Sequence, residues 1–161
     1  GTDGNDVLIA NDTATTLNGG KGDDVLWGGK GNDILNGGEG DDILRGGLGD
    51  DVLTGGAGRD TFLYLKGDVG KDTITDFKVS EGDTLDLRDL LIGEKDSTID
   101  NYLKVETSNG TSTIKISTTG NIASGSDASI TGNGVDLSSY GANSSEIISK
   151  LIDQNVIKTD H

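Results

Sequence analysis

A phrase of nine residues recurs through the first 63 residues, and it restricts the fold more than any other feature. Five consecutive copies share glycine at places one, two and four, aspartate at place six and a large apolar residue at place eight; they span residues 19–27, 28–36, 37–45, 46–54 and 55–63. Residues 1–9 keep the frame, whereas residues 10–18 keep little beyond Leu17. Fixed-period repetition of this kind is typical of a solenoid, in which each repeat packs only on its neighbours.

Each copy predicts a turn made by its first six residues, GGxGxD, followed by a short strand made by the last three. Because side chains alternate across a strand, place eight faces inward and places seven and nine face outward. The inward residues would stack on one another as a narrow apolar core. They are Leu8, Leu17, Leu26, Leu35, Leu44, Leu53 and Phe62.

The predicted turn has the composition of a calcium site. Glycine at places one, two and four allows positive φ, which lets backbone carbonyl groups point into the turn. The aspartate at place six adds a carboxylate to those carbonyl groups. Calcium is a hard cation that takes six to eight oxygen ligands at about 2.3–2.6 Å. The repeats therefore predict calcium ions held between stacked turns.

Composition excludes several other functions. Hydrophobic residues make up 31% of the 161 residues, which is too few for a conventional core. The net charge of −15 argues against nucleic acid or an anionic membrane surface as a partner. The chain has no cysteine, no apolar run of the roughly 18 residues that span a membrane, and no N-terminal signal sequence. Since the first residue falls on a repeat boundary, we expect a monomeric module of a longer chain.

No catalytic motif is present in the sequence. The chain lacks a His-Glu-x-x-His helix, a Gly-x-Ser-x-Gly elbow and a cysteine nucleophile. Its one histidine is His161, so no internal histidine can act as a base. The sequence therefore predicts a protein that is not an enzyme.

The nonapeptides resemble the RTX (repeats-in-toxin) family, whose repeats wind into a right-handed parallel β-roll. The resemblance implies an all-β fold in which two nonapeptides make one coil, so that turns eighteen residues apart stack on one edge. One edge would align Asp6, Asp24, Asp42 and Asp60, and the other edge would align Asp33 and Asp51.

The family pattern takes carbonyl ligands from places two and four of one turn and from places one and three of the next turn. The ligand sets that it implies are Gly4 and Asp6 with Gly19, Lys21 and Asp24; Gly20, Gly22 and Asp24 with Gly37, Glu39 and Asp42; Gly38, Gly40 and Asp42 with Gly55, Ala57 and Asp60; and Gly29, Gly31 and Asp33 with Gly46, Leu48 and Asp51. The phrase returns at residues 67–75, so that Asp72 would close a site with Gly47, Gly49 and Asp51. Asp83, in the segment EGDTLDL, would lie near a last ion with Asp60. Roughly four to six calcium ions are expected in all.

Some positions depart from the ligand pattern. Thr15 stands where the aspartate belongs, so we expect a weak or empty site beside Asp33 unless Asp12 compensates. The acids at place five are interpreted as solvated side chains, because asparagine or arginine holds that place in other copies; they are Asp23, Asp41 and Asp50. Trp27 faces outward, and we expect it to pack on a neighbouring loop.

The repeat disappears in the second half, which divides the chain into a roll at 1–82 and a C-terminal cap at 83–161. The sequence predicts a strand running into a short helix or turn at 85–92, a hairpin with strands at 102–106 and 112–117, a loop at 120–134 and a helix at 143–154. Asn143 and Glu146 form a capping box, and the apolar stripe of the helix is expected to cover the end of the roll.

This half resembles the C-terminal domain of large RTX adhesins, on the order LDLRDLL, DNYLKV, TIKIS, GVDL and a final helix reaching residues 151–157. The resemblance implies an uncleaved type I secretion signal, the exporter as a transient partner, and a location outside a Gram-negative cell, at its surface. The chain would be unfolded in calcium-poor cytosol and would fold outside. Three alternatives remain: a cap without a signalling role, the trailing module of a secreted hydrolase such as a metalloprotease or lipase, and a module that binds ice, glycan or a cell surface.

Overall fold

The repeats form a parallel β-solenoid in a computed structural model that describes residues 1–91 and 96–159. The strands are β1 (Val7–Ile9), β2 (Thr16–Lys21), β3 (Val25–Lys30), β4 (Ile34–Glu39), β5 (Ile43–Leu48), β6 (Val52–Ala57), β7 (Thr61–Leu63), β8 (Lys71–Ile74), β9 (Thr84–Asp86), β10 (Leu103–Ser108), β11 (Thr111–Ile116), β12 (Ala128–Gly132) and β13 (Ile157–Lys158). Helix α1 spans Ser144–Asp153, and short 3₁₀ segments lie at Val79–Glu81, Asp96–Asn101, Ile122–Ser124 and Ser138–Tyr140.

The strands form two sheets that face each other across the core. One sheet has the order β1-β3-β5-β7-β9-β13, and the other has the order β10-β11-β12-β8-β6-β4-β2. Within the repeats all neighbours are parallel, and Leu26 pairs with Leu44 as Leu35 pairs with Leu53. Equivalent residues of every second repeat are therefore neighbours, which confirms the all-β parallel roll with two nonapeptides in each coil.

The place-eight side chains form the predicted apolar ladder. The side chains of Leu26, Leu44 and Phe62 are fully buried, and Ile74 and Leu85 continue the ladder beyond the regular repeats. Leu8 and Leu17, in the first coil, are only partly buried because no coil covers them on one side. Each fully buried side chain of this size contributes about 1.5–3 kcal/mol of transfer free energy, so one such residue in each strand gives a thin core.

The strands are longer than the sequence predicts. They continue through the first three places of the following repeat, so that Gly29 pairs with Gly47 and Gly38 pairs with Gly56. The prediction that all six residues of GGxGxD lie in a turn is therefore wrong, since only places four to six make the bend. The physical reason is that stacked glycines can still form the parallel backbone hydrogen bonds of a sheet.

The second half extends both sheets of the roll. Strand β12 adds to β8 and strand β13 adds to β9, and both pairings are parallel. The predicted hairpin is confirmed as β10 and β11, with Asn109 and Gly110 at positive φ as a two-residue turn requires. The prediction of a loop throughout residues 120–134 is wrong because it contains β12, which lies between β11 and β8.

The predicted helix is confirmed as α1. The Asn143 side chain accepts a hydrogen bond from the backbone N–H of Glu146 at 3.0 Å, which completes the N-terminal cap. Residues Ile147, Ile148 and Leu151 are buried. The helix ends at Asp153 rather than near residue 157, since Ile157 belongs to β13.

The cap closes the end of the roll with strands as well as with the helix. Leu151 of α1 lines the same small apolar cavity as Ile74, Phe77 and Leu85, so the predicted contact between the helix and the end of the roll is present. The outermost backbone groups of β8 and β9, however, are paired by β12 and β13. The strand predicted at the start of 85–92 is β9, and Ile92 and His161 lie outside the described residues.

Candidate metal centre

The place-six aspartates form two columns along the edges of the roll. The first column contains Asp6, Asp24, Asp42, Asp60 and Asp83, and each is tied to the next through one carboxylate oxygen. Oδ1 of Asp24 accepts the backbone N–H of Asp6 at 2.7 Å, and Oδ1 of Asp42 accepts that of Asp24 at 2.7 Å. The sequence prediction that these residues stack at intervals of one coil matches their placement.

The second column contains Thr15, Asp33, Asp51 and Asp72. Oδ1 of Asp33 accepts the backbone N–H of Thr15 at 2.8 Å, and Oδ1 of Asp72 accepts that of Asp51 at 3.0 Å. The three inserted residues before Asp72 do not disturb the stack, because β8 keeps its parallel register with β6. Asp12 does not take the place left by Thr15, since its carboxylate accepts a hydrogen bond from Lys30 Nζ at the surface.

The other carboxylate oxygen of five aspartates is buried without a hydrogen-bond partner. These oxygens are Oδ2 of Asp24, Asp33, Asp42, Asp51 and Asp60. Each of the five residues is only 1% exposed. A buried charged oxygen without a partner is strongly unfavourable, and in proteins such groups are normally paired or bound to a metal. These five oxygens are therefore the feature of the two columns that most requires a cation.

The two end members of the first column differ from these five. Oδ2 of Asp6 accepts hydrogen bonds from the backbone N–H and the hydroxyl group of Thr2. Oδ2 of Asp83 accepts the backbone N–H of Lys78 at 2.7 Å, while its Oδ1 accepts that of Asp60 at 3.0 Å. The structure thus places Asp83 beside Asp60 as predicted, but both of its oxygens already have a protein partner.

The place-one glycines leave room for oxygens from two coils to converge. A Cβ atom added at Gly19 would overlap Oδ2 of Asp24 and would lie 2.5 Å from the carbonyl oxygen of Gly37. At Gly28 it would overlap Oδ2 of Asp33 and would lie 2.6 Å from the carbonyl oxygen of Gly46. The unpartnered carboxylate oxygen and the place-one carbonyl of the next turn therefore face a common space, as the predicted ligand pattern requires.

The carbonyl groups at places two and four also lie against the next turn. A Cβ atom at Gly38 would overlap the carbonyl oxygen of Gly20, and one at Gly40 would overlap that of Gly22. The place-three carbonyl of Glu39 accepts the backbone N–H of Gly22 at 2.8 Å, so one of its two lone pairs is already used. The same holds for Ala57 and Gly40.

This set of oxygen donors fits calcium. Among the residues that the structure describes, no group of three or more His, Cys, Asp or Glu side chains could hold a metal ion. Any ion between the turns must therefore take most of its ligands from backbone carbonyl groups, supplemented by carboxylates. Six to eight oxygen ligands of this kind in a flexible arrangement are what calcium accepts, whereas zinc prefers nitrogen and sulfur.

The columns are electrostatically unfavourable without a cation. Burial raises the pKa values of the Asp42 and Asp51 carboxyl groups, and the neighbouring carboxylates raise them further against the effect of the backbone hydrogen bonds. For the same reasons the pKa values of Asp60 and Asp72 rise to about 7. Without a metal, the fold therefore disfavours the ionised form of the carboxyl groups that its own hydrogen bonds stack along each column.

A second ladder at place five was not anticipated from the sequence. Oδ1 of Asn5 accepts the backbone N–H of Asp23, Oδ1 of Asp23 accepts that of Asp41, and Oδ1 of Asp41 accepts that of Arg59, each at 2.9 Å. These side chains are exposed, as predicted, but they bond successive coils together. The signal was present in the sequence, because asparagine and aspartate, which share this acceptor oxygen, fill place five in most copies.

Trp27 belongs to a small cluster on the outside of the roll. The Arg45 guanidinium lies 5.8 Å from the centre of a Trp27 ring and forms a salt bridge at 2.6 Å with buried Asp68. Trp27 thus lies beside Arg45 of strand β5, and the loop residue Asp68 holds Arg45 in place. Cation–π contacts of this type contribute about 0.5–1 kcal/mol at exposed sites.

Comparison with known proteins supports this assignment of the repeats. The model of the RTX calcium-binding nonapeptide repeat family matches four times, at residues 1–35, 9–44, 28–62 and 36–74. The chain is similar to the solution structure of the AlgE6R2 subunit of the Azotobacter vinelandii mannuronan C5-epimerase, with 27% identity, a TM-score of 0.66, and coverage of 95% of this chain and 92% of that chain. The AlgE6R3 subunit of the same enzyme is 29% identical over 83% of this chain and 73% of its own, with a TM-score of 0.38. No curated protein sequence matches the chain.

Substituting neighbouring acids tests which carboxylate serves the metal. Asp24→Asn keeps an Oδ1 acceptor for Asp6 but removes the buried negative charge, whereas Asp23→Asn keeps the outer ladder and removes only a solvated charge. We expect Asp24→Asn to raise the calcium concentration at the folding midpoint by at least about tenfold, as loss of a metal-supporting group does. Asp23→Asn should stay within about twofold of the unsubstituted chain, since exposed charges contribute little. Equal shifts in a calcium titration of the two variants would contradict the assignment.

The raised pKa values predict that acid favours the metal-free fold. Between the ordinary carboxyl value of 3.8 and about 7, the folded chain binds more protons at Asp60 and Asp72 than the unfolded chain does. The free energy of unfolding of the metal-free chain therefore rises as the pH falls through this window. The contribution of these two carboxyl groups is lost as the pH rises through about 7. Circular dichroism in chelator should show a strand signal that grows as the pH falls from about 7 towards 4, while in millimolar calcium the trend should reverse because protons displace the metal. A metal-free stability that increases with pH over this range would contradict the prediction.

Proposed function

Because residues 1–74 belong to the RTX calcium-binding nonapeptide repeat family, we propose that this chain is a calcium-dependent folding and export module of a bacterial surface adhesin. The observation that carries the proposal is the set of five buried carboxylate oxygens without partners along the two columns. The repeats are a structural calcium-binding module rather than a catalytic one, and the ions complete the fold.

Calcium supplies the stability that the thin core lacks. Without it, ionised carboxylates of successive coils repel one another, and one buried residue per strand does not offset the entropy of ordering a glycine-rich chain. Extracellular calcium modules work at about 10⁻⁴–10⁻³ M. A site at tenfold excess over its dissociation constant adds about 1.4 kcal/mol, so four to six coupled sites add on the order of 6–8 kcal/mol. This is comparable to the stability of a whole domain.

The proposed ions lie between successive members of each column. The best-supported spaces have an unpartnered Oδ2 on both sides, between Asp24 and Asp42, between Asp42 and Asp60, and between Asp33 and Asp51. The spaces between Asp6 and Asp24 and between Asp51 and Asp72 have one such oxygen each. The space between Asp60 and Asp83 also has one such oxygen, from Asp60, because the second oxygen of Asp83 accepts the backbone N–H of Lys78.

Calcium-dependent folding suits a protein that crosses membranes unfolded. Repeats of this family are characteristic of secreted proteins, and no helix in the described parts of the chain is long and apolar enough to cross a membrane. The chain would remain unfolded in calcium-poor cytosol, pass through a type I exporter as its transient partner, and fold at the surface of a Gram-negative cell. Residues 1–82 would act as the calcium roll, and residues 83–161 as the cap that carries the uncleaved secretion signal.

A second candidate is a module attached to a secreted enzyme. The similar AlgE6R2 structure is a subunit of a mannuronan C5-epimerase. Within this alternative, the similarity favours an epimerase as the attached enzyme over the hydrolases considered from the sequence. Both candidates share calcium-dependent folding, and they differ in the domain that the module accompanies. The adhesin is preferred here because the second half carries the adhesin-like order of segments.

Circular dichroism in chelator and during a calcium titration tests the folding step. We expect a disordered spectrum in chelator and a cooperative gain of strand signal in the millimolar range, since the columns cannot close without the ion. Magnesium at equal concentration is the control, because it requires a smaller and more regular octahedral site. A full strand signal in chelator would defeat the proposed function.

An export assay tests the secretion step separately. The chain is fused behind a passenger that folds slowly and is expressed in a host with a type I exporter, with a second fusion in which residues 144–159 are replaced by a glycine–serine linker. We expect the first fusion in the medium and the second in the cytosol, because the signal is assigned to the cap. Equal export of the two fusions would show that residues 144–159 carry no signal.

A further inference from the structure

The last described strand is an integral part of one of the two sheets of the roll. Strand β13 pairs in parallel with β9, where Leu85 N–H donates to the Val156 carbonyl at 2.7 Å and Leu87 N–H donates to the Lys158 carbonyl at 2.9 Å. The segment that follows α1 is therefore the sixth strand of the sheet that begins with β1.

This segment is buried against the end of the roll. Val156 is 5% exposed and Ile157 is 1% exposed, although the three residues before them, Asp153–Asn155, are exposed. Both residues line the same apolar cavity as Ile74 and Phe77 of the roll and Leu85 of β9. The cavity is thus closed only when the segment and the last coils are folded together.

The surface that receives β13 depends on the first column. Strand β9 is held to β7 where Thr84 N–H donates to the Asp60 carbonyl at 2.9 Å and Asp60 N–H donates to Asp83 Oδ1 at 3.0 Å. Asp60 also carries one of the five unpartnered carboxylate oxygens. If the coil of Asp60 is not formed, β9 has no partner on its inner side, and β13 has no sheet to join.

We propose that calcium binding to the roll conceals residues 144–159, so that this segment is available to a partner only in the metal-free chain. The end of the roll and the partner compete for the same apolar residues, which are Ile147, Ile148, Leu151, Val156 and Ile157. The identity of the partner as the exporter rests on the proposed function, but the concealment itself does not.

The consequence is a recognition step that works in one direction. In calcium-poor cytosol the segment is exposed and can be recruited. A chain that has bound calcium has buried the same residues in its own core, so it can no longer be recognised. The ion would therefore control access to the exporter in addition to folding the chain that has emerged.

The chain contains no cysteine, so single cysteine variants can report exposure of the segment. Val156→Cys places a small thiol at a buried site, and Gln154→Cys places one at an exposed position two residues away. Both variants are labelled with a maleimide in chelator and in millimolar calcium chloride. We expect calcium to slow labelling at residue 156 by at least about a hundredfold, as in a cooperatively folded unit, and at residue 154 by less than about threefold.

Circular dichroism of the same samples separates the two proposals. Calcium-induced strand signal together with rapid labelling of Val156→Cys in calcium would overturn the concealment and leave calcium-dependent folding intact. Slow labelling in chelator as well would also overturn it, because the segment would then be buried without the ion. A chain that gains no structure with calcium would defeat the proposed function itself. If Val156→Cys fails to fold in calcium, Thr159→Cys serves as the second reporter, since Thr159 is 7% exposed and similar in size to cysteine.

Discussion

The structure depends on a carboxylate that has one satisfied oxygen and one buried oxygen without a partner. In Asp42, Oδ1 holds the backbone of Asp24 in the preceding coil, while Oδ2 faces the interior of the edge. The same side chain therefore builds the solenoid and makes it unfavourable without a cation. As long as place six is an ionised aspartate, both roles come together, because the coil spacing that aligns the hydrogen bonds also stacks the charges.

The repeat made most of the roll predictable from the sequence. An interval of eighteen residues is sufficient to place Asp24 beside Asp42 and Leu26 beside Leu44, because every copy repeats the same local geometry. The details that were not predicted depend on backbone groups, because a pattern of side chains does not specify the hydrogen-bond partners of the backbone. The hydrogen bond from Lys78 N–H to Asp83 is of this kind, and so is the extension of the strands through the glycines.

In the second half, local sequence signals predicted the helix, whereas one strand depends on pairing with residues distant in the sequence. Helix α1 was predictable because its capping residues, Asn143 and Glu146, lie three positions apart. Strand β12 was missed because its segment is rich in glycine and serine, which weakens its intrinsic preference for a strand. It forms a strand because it fills the space between β11 and β8, and only the folded roll provides β8 as a neighbour.

The two halves supply different kinds of stability to one folded unit. The roll has a thin core and carries buried carboxylate oxygens without partners at its edges, whereas the cap brings the apolar residues of α1, β11 and β12 to the end of the roll. Since both sheets run without interruption from the repeats into the cap, neither half can complete its hydrogen bonds alone. A solenoid needs such a closed end to avoid exposing its last coil. Because the carboxylate columns and the apolar cap share the same two sheets, calcium binding at the edges would change the state of residues that never contact the ion.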